Sequence, residues 1–294
     1  MKRVLFVYNP VSGTGRIRKN MFEVVDFYNS RDCLVTLCPI RKLEAYEAFW
    51  SGEADTYDLV VCCGGDGTLN ILFSLMKRKG LHKEIAYVPA GSTNDFAYSL
   101  GLKGDFADAL NRTLTGSLRH FDAGQFGDKY FLYVAAFGIF TKASYNTPQK
   151  NKNALGHTAY VLEGIRELSE LKSYHMRVET DNQVIEDDFI LGLITNSLSI
   201  GGFRNLLPAD TALDDGEFEI MLIRMPKNLM ELQAIIAALA SVHPGDDKYV
   251  YCCKTKTVRV CASEPVEWTV DGEFGGSTAE ANVRVLRGEL EMRV

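Results

Sequence analysis

Three glycine-rich segments in the first hundred residues carry the residue types needed to hold a polyphosphate. The central one, Cys63-Gly64-Gly65-Asp66-Gly67-Thr68, follows the apolar run Leu59-Val60-Val61-Cys62. Gly64, Gly65 and Gly67 permit turns that aim successive backbone N–H groups at phosphate oxygens. Thr68 is expected to cap the following helix, whose N-terminus favours an anion. Asp66 is the odd member, because a carboxylate facing a polyphosphate repels it unless a cation lies between. The segment therefore predicts a Mg²⁺–nucleotide site and phosphoryl transfer. Replacement of Asp66 by Asn is expected to spare folding, since a loop carboxylate among glycines has little packing to lose. The first segment, Asn9-Pro10-Val11-Ser12-Gly13-Thr14-Gly15-Arg16, offers the hydroxyls of Ser12 and Thr14, flexible Gly13 and Gly15, and the Arg16 cation. It lacks the Gly-Lys-Ser/Thr of a P-loop and the third glycine of a dinucleotide fingerprint. In the third, Pro89-Ala90-Gly91-Ser92-Thr93-Asn94-Asp95-Phe96, Gly91 allows close approach and Ser92 and Thr93 offer hydroxyls. Asn94 or Asp95 is expected to cap the next helix.

The elements that must position these loops alternate. Strands are predicted at Val4–Tyr8, Leu34–Cys38, Leu59–Cys63 and Ile85–Pro89. Between them run amphipathic segments marked by Met21, Val24, Val25, Tyr28, then Leu43, Tyr46, Trp50, then Leu69, Leu72, Phe73, Met76. The first and third follow full helical periodicity, whereas Glu47 interrupts the middle one. Alternating strands and helices imply an α/β domain with a parallel sheet, its ligands at the carboxyl ends of the strands. From about residue 122 the pattern changes to closely spaced short strands, as in Phe131–Val134, Phe189–Ile194, Phe218–Ile223, Tyr249–Cys253, Thr257–Cys261, Val266–Val270, Val283–Leu286 and Glu289–Val294. That spacing predicts a β-rich antiparallel sandwich or barrel, interrupted by helices around Thr158–Leu171 and Leu229–Val242. The expected domains are 1–121 and 122–294.

A net charge of −6 argues against a nucleic-acid partner, which normally meets a basic surface. Met1-Lys2-Arg3 leads straight into a strand-length run rather than a signal peptide. The apolar stretches at Tyr130–Phe140 and Ala234–Val242 are too short to span a bilayer. Seven cysteines without metal-ligand spacing read as reduced, packed thiols of a cytoplasmic protein. The five histidines are scattered without the spacing of a metal-binding helix.

Taken together, Asn9-Pro10-x-Ser12-Gly13, Gly64-Gly65-Asp66-Gly67-Thr68 and Gly91-Ser92-Thr93-Asn94-Asp95-Phe96-Ala97 resemble the diacylglycerol kinase catalytic-domain superfamily. That superfamily includes bacterial soluble lipid kinases and sphingosine kinases, with NAD kinases and phosphofructokinases as distant relatives. The resemblance continues through Gly156-His157-Thr158-Ala159-Tyr160, Gly201-Gly202-Phe203, Asp214-Asp215-Gly216 and Asp271-Gly272-Glu273, so it covers nearly the whole chain. It implies an ATP-binding α/β domain in which Ser12, Gly65, Asp66, Gly67, Thr68 and Ser92 hold the nucleotide. Asn9, Gly13, Arg16, Gly64, Thr93, Asn94 and Asp95 belong to the same loops. It also implies that Asp122 joins a Mg²⁺–water network with Asp66. Asp215, with backbone oxygens near Ala212 and Glu217, matches a structural Mg²⁺ site, and Glu273 matches a general base. Many relatives carry an Asn where this chain has Tyr133 or its apolar neighbours.

The expected activity is ATP-dependent phosphorylation of a lipid hydroxyl, diacylglycerol first, with ATP and Mg²⁺ as cofactors. The alternatives are a kinase for a soluble acceptor such as NAD, and a catalytically silent nucleotide or lipid sensor. Retention of Asp66, Asp122 and Glu273 speaks against the sensor. A lipid acceptor requires transient contact with a membrane surface, for which Lys142, Lys150 and Lys152 near Phe137, Ile139 and Phe140 are candidates. A homodimer is also admitted. For the base, Asp66, Asp271 and Glu273 compete. Asp66 is assigned to the metal, and the family match favours Glu273 over Asp271.

Overall fold

A computed structural model describes residues 1–12, 17, 20–43, 52–139, 171–200, 203–204, 211–240 and 248–294. The chain divides into two compact units, Met1–Phe121 with Gly288–Val294, and Asp122–Arg287.

In the first unit, β1 (Lys2–Tyr8) lies between β2 (Cys33–Pro39) and β3 (Leu59–Gly64), parallel to both. β4 (Ile85–Pro89) continues the sheet, parallel to β3. The buried runs Val4–Val7 and Leu59–Gly64 are continuous rather than alternating, as a parallel strand covered on both faces requires. Helices α1 (Met21–Asn29) and α3 (Asp66–Arg78) bury the predicted stripe residues Val24, Tyr28, Leu69, Leu72, Phe73 and Met76. A short α2 (Ile40–Leu43) follows β2, and the rest of the Leu43–Trp50 segment lies outside the described residues. After α4 (Asp95–Ser99), α5 (Phe106–Thr115) packs on β4 and is absent from the sequence reading. Its signal was a capping box, with Asp105 accepting from the Asp108 N–H while the Asp108 carboxylate accepts from that of Asp105. The far edge of β4 pairs in parallel with Met292 and Arg293, at the end of the long strand β15 (Glu273–Arg293). Residues 288–294 thus fall in the first unit, where the sequence reading put them with the second.

The second unit is antiparallel. It comprises the end of β5 (Leu118–Phe126), β6 (Lys129–Phe131), β7 (Val134–Gly138), β8 (Tyr174–Thr180) and β9 (Val184–Thr195). The small hairpin β10 (Ser199–Ile200) and β11 (Phe203–Arg204) follows, then β12 (Phe218–Arg224), β13 (Val250–Thr255), β14 (Thr257–Val270) and most of β15. β9 pairs with β8, β8 with β14, β14 with β7, and β7 with β9, which closes a circuit of ladders. Trp268 sits inside, its ring centroid 5.0 Å from those of Phe126 and Phe137. The two runs read as separate strands at Thr257–Cys261 and Val266–Val270 are one strand, whose register breaks between Cys261 and Val266. Pro265, which cannot donate to the ladder, lies within that break. Conversely, the expected strand Phe131–Val134 is split by a bend at Leu132-Tyr133. α6 (Leu229–Ala240) starts at an Asn228 cap, whose Oδ1 accepts from the Glu231 N–H. The predicted helix at Thr158–Leu171 lies outside the described residues, Leu171 excepted.

Candidate functional site

Parallel register brings the three glycine-rich loops together in the first unit. Tyr8 is opposite Cys63, and Cys63 and Gly64 are opposite Val88 and Pro89. Beyond the strands, the Asn9 N–H donates to the Cys63 carbonyl at 3.0 Å and the Ala90 N–H to that of Gly64 at 2.8 Å. Asn9 Nδ2 donates to Thr68 Oγ1 at 3.2 Å. Thr68 is buried and does not cap α3, contrary to expectation. Gly65 is the N-cap and supplies no side chain, while Thr68 packs where a Gly64 Cβ would stand, 2.5 Å from its own Cβ. A Cβ on Gly91 would lie 2.5 Å from the Gly65 Cα, so the second and third loops touch backbone to backbone. The thirteen-residue α3 therefore opens on a cradle that no side chain of its N-cap fills. A helix start of this kind presents N–H groups and a positive dipole end to an anion. It fits a nucleotide phosphate.

Asp66 has a structural role the sequence did not reveal. Its carboxylate accepts from the Asp95 N–H at 2.8 Å, the Phe96 N–H at 3.3 Å and the Tyr87 hydroxyl at 3.4 Å. It thereby caps α4 from another loop, although Asn94 and Asp95 were the expected caps. Asn94 instead sits left-handed at φ 51°, its amide closing on Gly91 through Oδ1 (2.8 Å) and Nδ2 (3.2 Å). Burial, and then the Asp66 charge, push the Tyr87 phenol well above its ordinary range. The expectation that Asp66 is structurally dispensable is corrected by these bonds and its 7% exposure. Asp95 is also buried, whereas Ser92 and Thr93 are exposed and Ser12, Gly65 and Gly67 keep part of their surface open. Gly13 and Arg16 lie outside the described residues.

In the second unit, Asp122 is fully buried. Its Oδ2 accepts from the Gly216 N–H at 2.6 Å, and its own N–H donates to the Leu213 carbonyl at 2.8 Å. Asn196, missed in the sequence, donates through Nδ2 to the Asp122 carbonyl at 2.9 Å. Its signal was the polar trio Thr195-Asn196-Ser197 ending an apolar strand, all buried here. Asp271 and Glu273 differ sharply. Asp271 is buried and accepts from the N–H groups of Leu132 (2.7 Å), Tyr133 (3.0 Å) and Val134 (3.0 Å). The bend at Leu132-Tyr133 frees those donors, and the Asp271 carboxylate takes all three. With φ of 46° and 82°, Asp271 and Gly272 form the two-residue turn that pairs Val270 with Glu273. Glu273 emerges exposed, and Lys129 Nζ holds the next two carbonyls, Phe274 at 3.3 Å and Gly275 at 2.7 Å.

In the acidic turn, both oxygens of the Asp215 carboxylate already have partners. Asp215 Oδ1 accepts from the Glu217 N–H at 3.0 Å, and Oδ2 lies 3.2 Å from the Lys254 ammonium. Backbone oxygens, as expected at Ala212 and Glu217, would have to complete any cation site at Asp215, since the described residues contain no group of three His, Cys, Asp or Glu side chains able to hold a metal. Burial pushes the Glu219 carboxyl up to about 7, against the opposing pull of Lys254. All seven cysteines are free, and burial pushes Cys63 up to about 12, so it is a packing residue. Of the candidate membrane-facing residues, Phe137 is a core residue, while Phe140, Lys142, Lys150 and Lys152 lie outside the described residues. The motif residues Gly156–Tyr160, Gly201 and Gly202 also lie outside them. Among the described residues, no helix is long and apolar enough to cross a membrane.

Residues 3–126 match the model of the diacylglycerol kinase catalytic domain. Residues 134–293 match that of the YegS C-terminal NAD kinase beta sandwich-like domain. A diacylglycerol kinase of Bacillus subtilis strain 168 is 31% identical over 98% of this chain and 95% of its own. A diacylglycerol kinase of Staphylococcus saprophyticus is 31% identical over 94% of this chain and 90% of its own. A solved structure of a diacylglycerol kinase from Bacillus anthracis superposes with a TM-score of 0.74 at 21% identity, covering 99% and 96% of the two chains, and so shares the fold.

Proposed function

The chain belongs to the diacylglycerol kinase family, and from that premise we propose that it transfers the γ-phosphoryl group of ATP to the free hydroxyl of diacylglycerol, giving phosphatidic acid. The observation that carries this reading is the backbone contact of Gly65 with Gly91 at the uncapped start of α3. Bound Mg²⁺–ATP would supply the electrophilic phosphorus and screen the charge of the phosphates. The N–H groups around Gly65 and Gly67 orient that phosphate chain, with the hydroxyls of Ser12 and Ser92 beside them. Asn9 and Thr68 keep the first loop on the second. Asp66 fixes the third loop through α4 and brings negative charge to the same helix start, where a divalent cation would offset it. Asp122 holds the turn before β12. Glu273 receives the proton of the acceptor hydroxyl, since it is solvent-accessible while the Asp271 carboxylate is occupied by three backbone donors.

Diacylglycerol resides in a bilayer, so the reading includes transient contact of a cytoplasmic protein with a membrane surface. The test is direct. Purified protein is incubated with Mg²⁺–ATP and vesicles containing diacylglycerol, and with sphingosine or NAD in parallel, and products are identified by mass spectrometry. Phosphatidic acid from the diacylglycerol vesicles is the expected result. Phosphorylation of NAD alone, or of nothing, overturns it.

A further inference from the structure

The two carboxylates at the start of β12 have a counter-charge built into the chain. Glu219 faces Lys254 across the β12–β13 ladder, and directly opposed residues project from the same face. Glu219 is 1% exposed, and its Oε1 lies 3.6 Å from Lys254 Nζ. Asp215, on the turn preceding the strand, brings Oδ2 to 3.2 Å from the same ammonium. A buried carboxylate needs a cation or a proton, and two carboxylates near one point favour a cation. Register sets Lys254 opposite Glu219 by backbone pairing alone. The Asp214–Glu217 turn is also anchored from outside by the Gly216 N–H on Asp122 and closed within itself by the Glu217 N–H on Asp215.

We propose that the Lys254 ammonium is the cation of this acidic turn, bridging Asp215 and Glu219 in the place where a divalent metal would otherwise be needed. The turn is then metal-independent in this protein, and removing the ammonium would uncover a cation site made of Asp215 and Glu219. This inference does not rest on the kinase reading, and either can fail alone.

The experiment is thermal unfolding without nucleotide, in chelator and in added Mg²⁺ or Ca²⁺, for wild type, Lys254→Met, Lys254→Arg and Asp215→Asn. Wild type is expected to melt at the same temperature in chelator as in Mg²⁺, or to show a rise that Asp215→Asn retains in full. Lys254→Met should melt at least about 3 °C lower in chelator, because the buried Glu219 carboxylate loses its cation. Mg²⁺ or Ca²⁺ should restore part of that loss in proportion to its concentration. Lys254→Arg, which keeps the charge, should remain chelator-insensitive. A Mg²⁺-dependent rise in wild type that Asp215→Asn abolishes overturns the proposal, as does a Lys254→Met protein that melts like wild type in chelator. A metal requirement in Lys254→Arg also overturns it, and that arm is decisive even where Lys254→Met does not accumulate folded.

Discussion

The loop cluster of the first unit and the turns of the second treat backbone N–H groups in opposite ways. In the second unit, carboxylates consume them. Asp271 takes those of Leu132, Tyr133 and Val134, Asp122 takes that of Gly216, and Asp215 that of Glu217. In the first unit, glycine at the N-cap of α3 brings no side chain of its own to the first turn, and Gly65 and Gly91 meet backbone to backbone. An acidic residue in a glycine-rich turn therefore serves architecture wherever its oxygens meet N–H donors. Asp66 is such a residue in the first unit, because its carboxylate caps α4 while lying at the start of α3.

The sharpest break of that comparison is the pair Glu273 and Asp271, two residues apart. Glu273→Gln should lower turnover by about 10²–10⁴ with ATP affinity and melting temperature near wild type, as loss of a general base requires. Asp271→Asn should do the reverse. One of its oxygens becomes a donor facing backbone donors, at a cost of about 2–4 kcal/mol in unfolding free energy, while turnover of the folded fraction stays within about tenfold. Steady-state kinetics and thermal melts on both variants decide. Selective turnover loss in Asp271→Asn with a wild-type Glu273→Gln would exchange the roles.

Next in size is Asp66→Asn. Activity should fall by about 10²–10³ through loss of the charge near the phosphates. Stability should fall as well, by about 1–3 kcal/mol, since hydrogen bonds from N–H groups to a carboxylate are stronger than those to an amide. A variant that loses activity with an unchanged melting temperature would show that capping α4 is worth little. One that melts lower but turns over normally would sink the phosphoryl-transfer reading of this loop.

The contrast also separates what a sequence conveys from what it withholds. Strand-end glycines, the stripes of α1 and α3 and the change of pattern near residue 122 were legible because they are periodic or local. The partners of Asp66 and Asp271 were not, because they lie 29 and 139 residues away along the chain. Thr68 looked like a cap by residue type alone, yet the chain had already entered the helix two residues earlier. Lys254 carried no signal either, since only the β12–β13 register sets it opposite Glu219. The first unit claims residues 288–294 through pairing with β4, which no local pattern announces.

Glycine replacement tests the first-unit half of the comparison with a smaller effect. Gly91→Ala would drive a Cβ to 2.5 Å from the Gly65 Cα, so the two loops must part by several tenths of an ångström. ATP affinity should weaken by about tenfold or more, through loss of the aligned donors. Gly127, at φ 57° in the β5–β6 hairpin, has nothing within 4 Å of a new Cβ. Gly127→Ala should cost only the left-handed backbone strain, about 1 kcal/mol, with ATP affinity unchanged. Equal effects on nucleotide binding, measured by calorimetry, would mean the Gly65–Gly91 contact is ordinary packing.

The smallest expected effect concerns a charge pair that consumes no N–H group. Lys77, in the last turn of α3, lies 2.7 Å from Glu289, in the segment the first unit recovers from the end of the chain. Glu289 is 40% exposed on its side chain, so water screens the attraction and ordering two long side chains offsets much of it. Arg293 in the same segment is held differently. Its guanidinium meets both Glu84 oxygens, at 3.0 and 2.8 Å, and also the Gly116 carbonyl at 2.8 Å, with both charged partners mostly covered. Lys77→Ala should therefore cost less than about 1 kcal/mol, and that cost should shrink further as salt rises. Arg293→Ala should cost about 2–4 kcal/mol, because Glu84 is left without its bidentate partner. Denaturant titrations at low and high ionic strength measure both. A Lys77→Ala loss equal to that of Arg293→Ala and insensitive to salt would show that exposed charge, rather than pairing with β4 and Glu84, fixes the end of the chain to the first unit.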